Sequence, residues 1–434
     1  FFNAILLIWL GLTVLFNAER RTWGIWLAGG GLLCAALVTL DLWAWRGEPA
    51  LCVSRWLPER AHLGRECELR VCLENPGPRL VEADVWEAIP ADLAPASQEF
   101  PRVRVPSGGR SEVPFLVRPS RRGDRSFGRL VVLTRSPLGL FRLRQLGPGT
   151  DVLRVYPDTA ALLRPEALDP RRALAALGVR PAPRRGEGME FESLRDYVAG
   201  DDPRRLDWAA SARRGRPIVR LHQHERNHTV LIALDASRLM AARVGQRRKL
   251  DHAVDAALAL AHAALLSGDR VALSVFDREV RGFLAPRSHR RELGPLIELL
   301  RPLEPRLVEA DFAALVRTVG ARQRQRALVV VITDFVEAGA AAPIRILHLL
   351  GRRHQVLLVA VRDPLYAELD AGAHGSPGAS GALRRMVLDD LLLDRERALL
   401  SLRRAGLHTL DLPPAQLVAP VLNRYLELRY GPGR

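Results

Sequence analysis

Two carboxylates and a hydroxyl stand where a strand-end site would place them. Asp235 and Ser237 close the run Thr229-Val-Leu-Ile-Ala-Leu-Asp-Ala-Ser, and Asp334 closes Ala327-Leu-Val-Val-Val-Ile-Thr-Asp. Each run is continuously apolar, so two hard oxygen donors fall at the ends of two buried strands. A few protein oxygens completed by water are how a Mg²⁺ site is assembled. A second set of candidates is denser. Residues 186–208 read GEGMEFESLRDYVAGDDPRRLDW. Here Glu190, Arg195, Asp201, Arg204, Asp207 and Arg213 have the charges for a bidentate carboxylate–guanidinium network. Gly200 and Pro203 are turn formers, and Asp202-Pro-Arg-Arg could start a short helix behind an acidic cap. Tyr197 and Trp208 are amphipathic side chains of the kind enriched at interfaces. Such a segment either fastens one part of a chain to another or docks a partner, and both readings stay open.

Other chemistries are less well supplied. His222 and His224 alternate in Leu221-His-Gln-His, so on a strand both rings share a face that zinc could use. Asp201 and Asp207 could act as an acid and base pair. No His-Glu-x-x-His, nucleophile pattern, Walker motif or phosphate-cradling glycine loop accompanies them. The expectation is a recognition protein and not an enzyme. A metal-dependent hydrolase and a purely structural membrane scaffold are the alternatives. Loss of zinc or activity on replacing His222 and His224 would favour the first.

The elements that must position these residues follow from the hydrophobic pattern. From Thr229 onward, apolar strands (229–235, 270–277, 327–334, 354–361) alternate with helical runs such as 249–266. Continuous Val/Ile/Leu strands between helices predict a mostly parallel, doubly wound α/β sheet covered on both faces. Ligands of such sheets sit beyond the carboxyl ends of the strands, where Asp235 and Asp334 fall. The segment 371–381 reads as a surface loop. Residues 391–404 read as an amphipathic helix over the sheet, and 420–428 as a final packing helix.

Upstream the texture differs. Short period-two runs separated by Asn75-Pro-Gly-Pro, Pro106-Ser-Gly-Gly and Arg121-Arg-Gly-Asp predict an immunoglobulin-like β-sandwich. Before it come two apolar stretches, 1–16 and 23–45, joined by Asn17-Ala-Glu-Arg-Arg-Thr. They are expected as two transmembrane helices with tryptophans at the headgroup level. The expected organisation is therefore 1–47 membrane helices, 48–155 β-sandwich, 156–228 linker with the charged motif, and 229–434 α/β domain. The excess of arginine after the second span is expected to place the large part on the cytoplasmic side of the membrane.

The chain carries 64 basic and 48 acidic residues, and Lys249 is the sole lysine. The arginines are dispersed and interleaved with acids, which argues against nucleic acid and suits anionic membrane lipid. The four cysteines form no CxxC pair and read as free thiols, with a strand-to-strand bridge from Cys52 the alternative in an oxidising compartment.

The strand-end carboxylates resemble the metal-ion-dependent adhesion site of von Willebrand factor A domains. That site uses Asp-x-Ser-x-Ser, a threonine from a distant loop and a second aspartate. Asp235, Ser237 and Asp334 match it. Leu239 replaces the second serine, and Val308-Glu-Ala-Asp offers no threonine. Thr333 precedes Asp334 but should point the other way on a strand. The resemblance implies a degenerate site for Mg²⁺. Glu190 to Trp208, with Ser211-Ala-Arg213 and Pro217-Ile-Val-Arg220, is similar to the signature of the family called domain of unknown function 58. Arg121-Arg-Gly-Asp and Ser136-Pro-Leu-Gly-Leu-Phe fit its layout. That resemblance implies a membrane-anchored partner or adaptor of a MoxR-type AAA+ ATPase, beside a transglutaminase-like membrane protein.

Overall fold

The computed structural model describes residues 20–46, 50–95, 101–158, 190–198, 206–223, 228–335, 341–363, 366 and 379–430. The chain divides into two compact units, Phe1–Val155 and Tyr156–Arg434.

The first unit opens with helix α1 (Arg20–Trp45), whose stretch Ala28–Trp45 is long and apolar enough to cross a membrane. It is the one such helix among the described residues. Residues 1–16, expected as a first span, lie outside them. The helix starts at Arg20, so Arg20-Arg-Thr22 belongs to it and not to the polar link. The strands that follow are β1 (Cys52–Trp56), β2 (Ala61–His62), β3 (Cys67–Glu74), β4 (Val81–Trp86), β5 (Leu93–Pro95), β6 (Arg102–Val105), β7 (Arg110–Pro119), β8 (Gly123–Ser126), β9 (Val131–Arg135), β10 (Arg142–Leu146) and β11 (Val152–Tyr156). Two antiparallel four-stranded sheets, β1-β3-β7-β5 and β10-β9-β4-β6, share one core. Val71, Leu73 and Val113 from the first sheet meet Ala83, Val85, Val105 and Val132 from the second. A small sheet, β2-β11-β8, completes the unit. The four cysteines are free thiols.

One polar residue of α1 breaks its apolar character. Asp41 is fully buried although Leu40, Leu42 and Trp43 beside it are exposed. Its carboxylate accepts hydrogen bonds from Ser136 Oγ at 2.6 Å and from the Leu138 amide at 2.8 Å. Ser136 Oγ in turn accepts from the Phe141 amide at 2.9 Å. The Ser136-Pro-Leu-Gly-Leu-Phe turn is therefore a socket for the last turns of the helix, and the Arg79 guanidinium adds a bond to the Ala44 carbonyl. A buried carboxylate without such donors would cost several kcal/mol, so the turn and the aspartate need one another.

The second unit begins with an antiparallel pair, β12 (Glu190–Asp196) and β13 (Ile218–Gln223), which brackets the short helix α2 (Trp208–Arg214). The region expected as a linker thus contains ordered secondary structure. Next come β14 (Thr229–Asp235), a small ribbon of β15 (Arg243–Val244) and β16 (Arg247–Arg248), α3 (Lys249–Leu266), β17 (Arg270–Phe276), β18 (Val280–Arg287), α4 (Leu293–Leu300) and α5 (Phe312–Arg322). They are followed by β19 (Leu328–Thr333), α6 (Ala341–Gly351), β20 (Gln355–Val361), α7 (Ala379–Arg404), β21 (His408–Leu412) and α8 (Val418–Tyr430).

Six strands form one sheet in the order β18-β17-β14-β19-β20-β21. Only β18 runs antiparallel. Alternate strand residues feed two cores. Ile232, Leu234, Val330 and Ile332 pack with α3, α4 and α8, while Leu231, Ala233, Val329 and Val331 pack with α5, α6 and α7. This is the doubly wound arrangement that the aliphatic runs predict. The chain leaves β14 toward β17 on one side and returns to β19 on the other, so the strand order reverses between β14 and β19. A crevice opens at such a switch point. Helix α3 is rich in alanine and leucine and nearly all-round buried, as a core helix of strong helix formers should be. It ends at Gly268, whose φ of +82° lets Asp269 N reach the Ala264 carbonyl.

Candidate functional site

At the switch point the register sets which side chains meet. Leu234 pairs with Ile332, so Asp235 and Thr333 come one step later on the same face. Thr333 Oγ1 donates to Asp235 Oδ2 at 2.6 Å, and the Ser237 amide donates to Oδ1 at 2.7 Å. All three residues are buried. A threonine hydroxyl does reach Asp235, but it comes from the neighbouring strand β19 and not from the distant loop. Thr333 does point away from Asp334, and that direction leads to Asp235. Burial pushes the Asp235 carboxyl up to about 6, against the bonds from Thr333 and Ser237 that favour its charge. Val308-Glu-Ala-Asp has a different task. Asp311 caps α5, accepting from the amides of Ala313 and Ala314.

Asp334 is enclosed by cations instead of facing open space. Lys249, the first residue of α3, places Nζ 2.6 Å from Asp334 Oδ2 and 2.5 Å from Asp363 Oδ2. From the opposite face of the sheet Arg395 of α7 reaches Asp334 Oδ1 at 3.4 Å and donates to the Phe335 carbonyl at 2.6 Å. The same guanidinium bonds Asp411 on β21 at 3.1 Å. One carboxylate thus joins helices from both layers. Lys249 and Arg395 are 1% and 3% exposed. Burial pushes the Asp334 carboxyl up, and Lys249 and Arg395 oppose that shift. Beyond β17, Asp277 is also fully buried, with Arg281 and Arg306 at 3.7 and 3.8 Å.

The arrangement is a layered charge network that locks strand ends to helices. Asp235 and Asp334 share the crevice but have separate partners. Sequence reading set Thr333 aside and missed Asp363, Arg395, Asp411 and the role of Lys249. One signal was available: among the Lys and Arg residues of this chain every one but Lys249 is arginine, so the single lysine stands out as a position where a compact ammonium is used. Among the described residues no group of three or more His, Cys, Asp or Glu is placed to hold a metal ion.

The charged motif is organised around α2. Asp207 is its N-cap, with Oδ1 accepting from the Ala210 amide at 3.0 Å. Ser211 Oγ donates to the Asp207 carbonyl and accepts from the Ile218 amide at 2.8 Å, which ties the helix to β13. Gly215 ends the helix with φ +64°. Ala210, Ile218 and Val219 are buried beneath it, whereas Trp208 is 73% exposed. Tyr197 is half-buried, and its amide donates to the Pro217 carbonyl. Arg213 is exposed and donates to the Ala209 carbonyl. Arg216 pairs with Asp196 at 2.8 Å. Glu190 and Arg195 lie on β12 and Arg220 on β13, on paired strands, with Leu194 opposite Arg220. Gly200, Asp201, Asp202, Pro203 and Arg204 lie outside the described residues, so the network drawn through Asp201 and Arg204 does too. His222 lies on β13, and His224 lies outside the described residues.

A family model described as "Protein of unknown function DUF58" matches residues 193–382, from within the charged motif to the start of α7. An uncharacterized protein of Mycobacterium bovis is 30% identical over 248 residues, covering 55% of this chain and 76% of the relative. An uncharacterized protein of Mycobacterium tuberculosis matches with the same values. The chain belongs to this family. Among solved structures, a conserved hypothetical protein, BatB, of Bacteroides thetaiotaomicron aligns at 22% identity and TM-score 0.25, over 32% of this chain and 68% of that one. A Salmonella alpha-2-macroglobulin aligns at 16% identity and TM-score 0.19, over 24% of this chain and 7% of that one. Both overlaps are too slight to assign a fold.

Proposed function

We propose, from membership of this family, that the chain is a membrane-anchored protein-recognition module. Its α2 motif docks a partner, and that partner is an AAA+ ATPase of the MoxR type. On this reading α1 spans a bacterial inner membrane, the second unit works in the cytoplasm, and a transglutaminase-like membrane protein is a further candidate neighbour. The paired sheets suit an immunoglobulin-like module, and the strand order suits a von Willebrand factor A-like one.

The observation that carries the proposal is Trp208. A large aromatic left 73% exposed at the start of a helix that is capped, braced and glycine-terminated contributes nothing to fastening that helix. Exposed tryptophans on rigid supports are typical anchors of binding surfaces. The buried strand-end network adds support, because its charges are already satisfied within the chain.

The test is affinity capture from native membranes with the intact chain and with Trp208→Ala. Capture of an AAA+ ATPase by the intact chain, reduced at least tenfold by the substitution at unchanged thermal stability, is expected. Equal capture by both chains would remove Trp208 as the anchor. Recovery of no ATPase even after crosslinking would remove the adaptor reading.

A further inference from the structure

The likeness to a metal-ion-dependent adhesion site implies a divalent cation between Asp235, Ser237 and Asp334, and the residues present do not fit one. We infer that this chain carries its own cation beside Asp334: the Lys249 ammonium, held by Asp334 and Asp363, supplies the charge that a metal would, so the strand-end site works without a divalent ion.

Three observations lead to this. Nζ sits at bonding distance from two carboxylates that end different strands, 2.6 Å from Asp334 and 2.5 Å from Asp363. That is bridging by a compact positive charge, the job a bound Mg²⁺ would do with oxygen ligands. The other oxygen of Asp334 already faces Arg395. Each oxygen of Asp235 already accepts a short hydrogen bond, from Thr333 Oγ1 and the Ser237 amide. An ion entering the crevice would thus have to displace either an ammonium or a set of short hydrogen bonds.

Placement of the lysine is also costly by itself. Lys249 is the first residue of α3, where the helix dipole disfavours a cation, and it is 1% exposed. The flanking carboxylates offset both costs. A guanidinium is larger and planar and would not seat between two oxygens of different strands as a point charge does. This accounts for a lone lysine among the 64 basic residues of an arginine-biased chain. A consequence concerns recognition. A metal at an adhesion site can offer an open coordination position to a partner's carboxylate, and an ammonium buried to 1% exposure cannot. Any partner contact at this end of the sheet is made by groups other than a shared cation.

The test is direct binding of Mn²⁺ and Mg²⁺ to the full chain in detergent, by calorimetry and electron paramagnetic resonance, with EDTA-treated protein. The intact chain should show no saturable binding at this site up to about 1 mM, the weak end of oxygen-ligand sites, and no change in thermal transition on adding EDTA. Lys249→Ala should gain saturable Mn²⁺ binding that Asp334→Asn, added to it, abolishes. Saturable binding by the intact chain that Asp334→Asn removes would overturn the inference. So would a folded Lys249→Ala chain that binds no Mn²⁺. If Lys249→Ala does not fold, the titrations of the intact chain and of Asp334→Asn still decide. None of these readouts depends on the identity of the docking partner.

Discussion

Asp235 gives the sharpest stability prediction, because the ordinary and the folded behaviour of its carboxyl bracket an accessible pH range. Burial lifts it from 3.8 to about 6. Below the first value both folded and unfolded chains hold the proton. Between the two values the folded chain holds a proton that the unfolded chain has released, so stability falls as pH rises. Above about 6 the full cost is in place. At about 1.4 kcal/mol per tenfold change in proton affinity, that cost is about 3 kcal/mol. Asp235→Asn removes the charge and keeps the shape. The side-chain oxygen can still accept from the Ser237 amide, and the new amide can donate to the Thr333 hydroxyl. Allowing about 1 kcal/mol for a less suitable hydrogen bond, the variant should be about 2 kcal/mol more stable than the intact chain at pH 7.5 and no more stable at pH 4. Scanning calorimetry of the full chain, following the transition of the second unit, measures this as a rise of roughly 4–8 °C at pH 7.5. Taking the difference between the two chains removes shared titrations. One is His252, which burial lowers to about 4 and which destabilises the fold as pH falls below 6.5. A variant less stable than the intact chain at pH 7.5 would refute the reasoning. The ionised Asp235 would then be favourably held in the folded chain instead of penalised by burial, as a metal ligand would be.

Three further outcomes follow from the same physics. Lys249→Arg, conservative by charge, should lower the transition of the second unit by about 1–3 kcal/mol, because a bulkier planar group must enter a filled site; calorimetry at neutral pH checks it. Asp207→Ala removes the cap of α2 and should cost about 1 kcal/mol locally. The measurement is hydrogen exchange at the amides of residues 208–214, which should quicken while β14 and β19 stay protected. Tyr425→Phe deletes the 2.6 Å bond to the fully buried Asp269, whose carboxylate Arg429 also grips at 2.7 and 2.9 Å. It should cost about 1–2 kcal/mol, with Arg429 keeping Asp269 paired and limiting the loss seen in denaturant titration.

Much of the second unit was legible because its signals are local. The runs that became β14 and β19 are uninterrupted aliphatics, and α3 occupies residues 249–266 as its alanine and leucine content requires. Val418–Tyr430 buries Val421, Leu422, Tyr425 and Leu426 on one side, the pattern of a packing helix. The site was half legible. That Asp235 and Asp334 end neighbouring strands follows from hydrophobic runs and the rule for open sheets. What surrounds them does not, since Lys249 and Asp363 are 114 residues apart and Asp334 meets Arg395 from the far side of the sheet. Such contacts depend on strand order and helix placement, which no local periodicity encodes. Residues 190–223 misled for another reason. Their density of charge and turn formers reads as a connector, and the pairing of β12 with β13 spans α2 and becomes visible only once both strands are placed.

Asp41 has a mechanical consequence. A helix that meets a domain through a slack peptide lets that domain tumble, and a pull on it is spent in taking up the slack. Here a carboxylate within the last turns of α1 is plugged into the Ser136–Phe141 turn, with a second bond from Arg79 near the helix end. These bonds give a load on the β-sheets a path to the helix besides the connecting peptide, and they oppose rotation of the one against the other.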